Sequence, residues 1–274
     1  MALNSKVLLV GENHTSYLES GDVDELPLIF IHGFPFNNKM WEDQLIKFGV
    51  EYRCIAYDVR GHGSSEAGEV NFSIGLFAED LIAIMDALKI EKAVIVGLSM
   101  GGYVAMKAIE KYSLRFAGLV LCDTQCVADT EEGKEKRKKT IGFIERNGLE
   151  VYADESLKNL FAPASFETKQ QAVSFIHSTI LNTPARTICR TLQALAERNE
   201  TCTSLPQIDF PVLIVVGAED KITSPEAARK MNGLIGGSEL VIIPEAGHLS
   251  NLENPIQFNF HLKEFLKKLN HSNV

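Results

Sequence analysis

Residues 93–101 constrain this chain more than any other stretch. Ala93-Val94-Ile95-Val96 is an apolar, largely β-branched run, and Gly97-Leu98-Ser99-Met100-Gly101 follows it without a break. The run reads as a buried strand and Tyr103–Lys111 as a helix, so the chain must reverse from one to the other within a few residues. A turn that tight strains the backbone at its apex, and flanking glycines avoid the Cβ clashes it would cause. It lifts the Ser99 hydroxyl clear of the sheet. It also directs the first free N–H groups of the helix at the same space, where an anion could form. A serine nucleophile requires this arrangement.

A serine alcohol attacks poorly at neutral pH unless a neighbouring base takes its proton. Of seven histidines, His248 is the candidate base. It lies in the loop Glu245-Ala246-Gly247-His248, just past the strand-like run Leu240-Val241-Ile242-Ile243. In a parallel sheet that position shares an edge with Ser99; the competing reading is a solvated loop histidine. An acid must orient the base. Pro211–Val216 is a further buried strand pattern, and it ends in Gly217-Ala218-Glu219-Asp220. Asp220 competes with Glu219 beside it and with Asp123, which follows Gly118–Leu121. Asp220 also fits as a helix-opening acid, because Ser224-Pro225-Glu226 begins a helix soon after.

Strand-like and helix-like patterns alternate along most of the chain, which predicts an α/β fold: a mostly parallel sheet with helices on both faces. Strands are expected at Val7–Val10 and Thr15–Leu18 (a hairpin), Leu28–Ile31, Cys54–Tyr57, Ala93–Val96, Ala117–Leu121, Val212–Val216 and Leu240–Ile243. Helices are expected at Trp41–Phe48, Leu76–Leu88 and, after the last strand, Pro255–Leu269. The alternation fails between about Thr124 and Asp209. That stretch offers four helix-like pieces instead, near Thr130–Asn147, Leu149–Leu160, Glu167–Thr179 and Pro184–Arg198. Residues 1–123 and 210–274 are therefore expected to form the core, and residues 124–209 a helical insertion. Within the insertion, Lys134–Lys139 reads as a solvated basic surface, given its acidic neighbours. Phe143, Phe161, Phe166, Phe175 and Ile176 are candidates for pocket wall.

Four segments together carry a family resemblance: His32-Gly33-Phe34-Pro35, Asp58-Val59-Arg60-Gly61-His62-Gly63-Ser64, the turn around Ser99, and the Asp220 and His248 loops. With the order serine, acid, histidine, the chain resembles α/β-hydrolases over essentially its whole length. The elbow with its extra Gly102 is most similar to the G-x-S-M-G-G form of enol-lactonases and related esterases. Serine at position 99 departs from haloalkane dehalogenases and epoxide hydrolases, whose nucleophile is an aspartate. The resemblance implies an eight-stranded sheet, with residues 124–209 as a helical cap (lid) inserted after strand 6. It assigns Ser99, His248 and Asp220 as catalytic, and the backbone N–H groups of Phe34 and Met100 as the oxyanion hole. His32 and the Asp58–Ser64 loop would be structural, and Phe34 and Trp41 are candidate pocket aromatics.

The expected activity is hydrolysis of a small, partly hydrophobic carboxylic ester or lactone through an acyl-enzyme. Thioester hydrolysis, C–C cleavage, perhydrolysis and slow-turnover ligand sensing use the same residues and stay open. No metal or organic cofactor is implied. A net charge of −9 and a pI near 5.3 argue against nucleic acid and anionic membranes as partners. There is no nucleotide-binding glycine motif and no apolar run near the roughly 20 residues of a membrane helix. The five cysteines, three of them in or beside apolar segments, suit reduced thiols in a cytosol. Met1–Lys6 lacks signal-peptide organisation, and the expected location is cytoplasmic.

Overall fold

The apolar runs pair into one eight-stranded sheet in the computed structural model, which describes residues 3, 5–21 and 26–272. Met1, Ala2 and Asn4, read above for a leader, lie outside the described residues. The strands are β1 (Ser5–Val10), β2 (Asn13–Ser20), β3 (Leu28–Ile31), β4 (Cys54–Tyr57), β5 (Ala93–Leu98), β6 (Phe116–Cys122), β7 (Val212–Gly217) and β8 (Glu239–Ile243). Their spatial order is β1-β2-β4-β3-β5-β6-β7-β8. β1 and β2 form an antiparallel hairpin, and β2 joins β4 antiparallel. Every pair from β4 through β8 is parallel. The strands at the centre, β3, β4, β5 and β7, are buried at every position, because helices cover both faces.

Three helices connect the first strands: α1 (Glu42–Phe48), α2 (Ile74–Ala87) and α3 (Met100–Tyr112). The Ser73 hydroxyl starts α2 by accepting the Leu76 N–H at 3.0 Å, a capping bond that the pattern-based start at Leu76 overlooked. Between β6 and β7 come α4 (Glu131–Asn147), α5 (Glu150–Leu160), α6 (Ser165–Thr168), α7 (Gln170–Asn182) and α8 (Ala185–Glu197). The expected piece at Glu167–Thr179 divides into α6 and α7, since Lys169 takes a non-helical backbone between them (φ −128, ψ 39). Last are α9 (Pro225–Leu234), α10 (Ser250–Glu253) and α11 (Pro255–Ser272).

Two apolar clusters pack on the two faces of the sheet. One holds α2 and α3. The other holds α1, α11 and most of the buried side chains of α4–α8, the segment read above as a cap; Ala194 and Leu195 of α8 join the first. Trp41 belongs to the second cluster: it is 0% exposed, with its ring 5.2 Å from Phe30 and 6.1 Å from Phe258. The expectation that Trp41 contacts substrate is therefore corrected. The turn Asn38–Trp41 before α1 directs the indole under the sheet, where full burial of so large a ring is favourable.

The expectation of reduced cysteines is also corrected for two of the five. Cys126 and Cys202, 76 positions apart, are joined as a disulfide. The bond ties the strand-6 exit to the segment that returns from α8. Beside it Arg198 donates to Asp129 at 2.7 Å and to the Val127 carbonyl at 3.1 Å, so the neck of the cap is closed by side chains as well. Cys54, Cys122 and Cys189 are free thiols. Among the described residues no helix is long and apolar enough to cross a membrane.

Candidate active site

The turn after β5 is as tight as its composition demands. Ser99 sits at φ 52, ψ −110, in a region of backbone space that L-residues rarely occupy and that costs on the order of 1–3 kcal/mol. A Cβ at Gly97 would lie 2.4 Å from the Gly101 carbonyl oxygen, and one at Gly101 would lie 2.3 Å from the Ile31 carbonyl oxygen. Only glycine fits at either position. The Ser99 N–H donates to Cys122 at 2.9 Å, and the Thr124 hydroxyl donates to the Ser99 carbonyl at 2.8 Å, which anchors the strained residue to the end of β6.

Ser99 Oγ lies 2.9 Å from His248 Nε2, and His248 Nδ1 lies 2.8 Å from Asp220 Oδ2. A carboxylate only accepts, so the proton of a neutral His248 sits on Nδ1 and Nε2 is left to accept from the serine. Asp220 Oδ1 accepts the N–H groups of Ile222 (2.8 Å) and Thr223 (3.0 Å), and Oδ2 also accepts the Thr223 hydroxyl at 2.8 Å. Burial raises the Asp220 carboxyl, but the His248 charge and these hydrogen bonds outweigh it and hold it below its ordinary value. For His248 burial lowers the imidazole, and the Asp220 carboxylate overrides this to raise it above 6.5. Thr223 was not singled out in the sequence; its signal is its place three residues after the acid, where the chain curls back to donate.

The other acids take different places. Asp123 is fully buried; its Oδ1 accepts the Gly217 N–H at 2.8 Å and its Oδ2 accepts the Ser250 hydroxyl at 2.6 Å. It braces the loops that carry Asp220 and His248 without bonding to the imidazole. Burial and the nearby Asp220 charge push it up to about 8. Glu219 is exposed. His32 spans Gly33 (2.8 Å) and the Val59 N–H (2.9 Å), and burial takes it down to about 3, so it remains a neutral loop brace. Asp58 likewise accepts the N–H groups of Asn38 and Ser64 within its own loop cluster.

Ser99 and His248 open into a cavity of about 410 Å³ between core and cap, with Phe34 and Met100 on its wall. Met100 is the first residue of α3, so its N–H has no acceptor within the helix. The apolar wall comes from Tyr103, Tyr152, Leu160, Leu192 and Leu195. None of the five cap residues expected there lines it. Phe161 and Ile176 are turned into the second core cluster, and Phe166 packs edge-on to Phe161. The basic run of α4 also divides. Lys134 pairs with Glu131 outside, whereas Lys136 and Arg137 line the cavity with Gly133 and Thr140. These four stand at i, i+3, i+4 and i+7, a single helix face that the sequence carried but the reading of a solvated surface overlooked. Lys221 adds a third cation, against one lining carboxylate, Asp129, which Arg137 and Arg198 share. Among the described residues no group of three His, Cys, Asp or Glu side chains is arranged to hold a metal ion.

Comparison with known proteins agrees with this architecture. Residues 28–259 match the model described as the alpha/beta hydrolase family. 3-Oxoadipate enol-lactonase 2 of Acinetobacter baylyi is 28% identical over 93% of this chain and 94% of its own length. Enol-lactonase 1 of the same organism is 30% identical, over 88% of this chain and 89% of its own. Among solved structures, a thermophilic esterase from Thermogutta terrifontis, with malate bound, superposes with a TM-score of 0.90 at 32% identity, covering 98% of this chain and 99% of that one. The enol-lactonase from Burkholderia xenovorans gives 0.88 at 25%, covering 96% and 100%. With most of its length matched, the chain belongs to the α/β-hydrolase family and is a hydrolase.

Proposed function

We propose that the protein hydrolyses a small carboxylic ester or lactone whose acyl part carries a second, ionised acid group. The observation that carries the reaction is the relay from Ser99 Oγ through His248 to Asp220, at 2.9 and 2.8 Å, on the wall of a cavity large enough for a small metabolite. Ser99 Oγ bonds to the carbonyl carbon as His248 Nε2 takes its proton, and Asp220 stabilises the imidazolium. The oxyanion is held by the Phe34 and Met100 N–H groups, each worth roughly 3 kcal/mol in such a site. The C–O bond to the leaving alcohol then breaks, with the proton passing from His248 to that oxygen. Water, deprotonated by His248, attacks the acyl-enzyme and releases the acid.

The excess of cations supports an anionic substrate. Lys136, Arg137 and Lys221 face the cavity of a protein whose net charge is −9. Of the similar proteins, one is a 3-oxoadipate enol-lactonase and another is an esterase with malate bound. The test is fluorophosphonate labelling of wild type and Ser99→Ala, with kinetics on the monoester and the diester of one dicarboxylic acid. Labelling and turnover that both vanish in Ser99→Ala are expected. Arg137→Gln should raise KM for the monoester by about 10-fold, the scale of one charged hydrogen bond, and leave the diester unchanged. A wild type that prefers the diester would overturn the anionic substrate; one that neither labels nor turns over would overturn the hydrolytic role of Ser99.

A further inference from the structure

Glu253 is a carboxylate 1% exposed, and burial raises its pKa. Its two oxygens serve two different parts of the chain. Oε1 accepts the N–H groups of Gly247 (2.8 Å) and Leu249 (3.3 Å), which flank His248. Oε2 accepts the Ala162 N–H (2.8 Å) and the Ser165 hydroxyl (2.6 Å), which lie where the cap passes from α5 to α6. The amide between, that of His248 itself, donates to the carbonyl of Leu160, the last residue of α5, at 2.8 Å. There is no clearance at this seam. A Cβ on Gly247 would stand 2.7 Å from the Ala162 nitrogen and 2.9 Å from the Leu160 oxygen.

We propose that Glu253 is a positioning residue that fastens the His248 loop to the end of α5, so that histidine and cap move as one body. The inference rests on the hydrolytic reading of Ser99 and His248 above. A buried carboxylate is expensive unless its lone pairs are filled, and here four donors fill them, half from each side of the seam. Helix α5 also supplies Tyr152, Ser156, Asn159 and Leu160 to the cavity. An acyl group that displaces α5 therefore draws His248 away from Ser99. Selection among substrates then appears in kcat as well as in KM. The acidic groups facing His248 are Asp220, Asp123 and Glu253, and the Asp220 carboxylate is the first cause that raises its basicity against the lowering by burial.

The test compares Glu253→Gln and Ser165→Ala with wild type in p-nitrophenyl acetate hydrolysis across pH, with fluorophosphonate labelling rates and thermal melting alongside. The glutamine keeps the shape but turns an N–H₂ toward groups that are themselves donors. Glu253→Gln should lower kcat roughly 10- to 100-fold, the scale of a misplacement near 1 Å, with KM within about twofold. Its acidic limb should move to lower pH, and labelling of Ser99 should slow in parallel. Ser165→Ala removes a single cap-side donor and should lower kcat about threefold, less than one neutral hydrogen bond. Wild-type kcat and an unmoved limb in a folded Glu253→Gln overturn the inference. If that variant does not fold, unchanged kcat and labelling in Ser165→Ala overturn it. A wild type that neither hydrolyses nor labels overturns the underlying reading, and this one with it.

Discussion

The α/β core and the helical cap hold their polar groups in opposite ways. In the core, Ser99 is fixed by a turn that admits only glycine at positions 97 and 101, and Asp220 by two backbone N–H groups and a hydroxyl. In the cap, Arg137 and Lys136 reach the same cavity on long side chains from one face of α4, and Arg137 is one-quarter exposed. Backbone placement gives the precision a proton relay needs. Long side chains tolerate substitution without unfolding, which suits recognition. On the proposed reading, the difference teaches that chemistry and specificity are carried by regions with different freedom to change.

The strongest way to break this contrast is to exchange the acids. Asp220→Asn should lower kcat by about 10⁴-fold, as loss of the orienting carboxylate does in comparable triads, with little change in melting temperature. Asp123→Asn should do the reverse. Its amide N–H₂ would face the N–H of Gly217 or the hydroxyl of Ser250, costing about 1–3 kcal/mol of stability, with a smaller loss of rate. Equal losses of activity in the two variants would mean that both carboxylates orient the base.

pH sharpens the same comparison. A protonated His248 cannot accept from Ser99, and its pKa is raised, so kcat/KM should fall as pH drops through a midpoint above 6.5. Asp220→Asn should shift that midpoint down. Asp123, held up to about 8, acts on stability instead. Its contribution is complete below its unfolded value of about 4 and is lost as pH rises through the folded value. Melting temperatures measured across this range should therefore fall less steeply in Asp123→Asn than in wild type.

The neck of the cap gives a smaller effect. Replacing Cys126 and Cys202 with serine opens a closed loop of 76 positions and should cost about 2–4 kcal/mol in denaturant unfolding. Turnover should be retained, because the His248 seam lies elsewhere. The smallest effect is expected at Trp41. Its indole nitrogen is buried without a hydrogen-bond partner among the described residues. Trp41→Phe should change kcat/KM by less than about twofold while altering stability by about 1 kcal/mol. A large change in KM would return Trp41 to the pocket.

Much of the core was legible because its signals are local. The glycines around Ser99, the strand runs and the loops that follow them constrain the backbone within a few residues of themselves. Asp220 against Asp123 was a harder choice, since both end strands at one edge of the sheet. The structure separates them by which loop curls toward His248. The cap was legible as helices but not as a surface. Phe161 and Leu160 are neighbours in an apolar segment and both enter the core cluster, yet of the two Leu160 alone also lines the cavity. Glu253 is five residues past His248, and nothing nearby in sequence shows that its other oxygen meets Ala162 and Ser165.

The sequence by itself determined the fold class, the strained strand-to-helix turn, and the presence of a serine, a histidine and an acid at one edge of a parallel sheet. Only the tertiary structure decided which cap residues face the cavity, that Cys126 meets Cys202, that Trp41 packs inside, and that His248 is bonded to the end of α5. The reason is physical. Backbone geometry is dictated by near neighbours, whereas the facing of one apolar or charged side chain over another is set by packing between segments far apart in the chain.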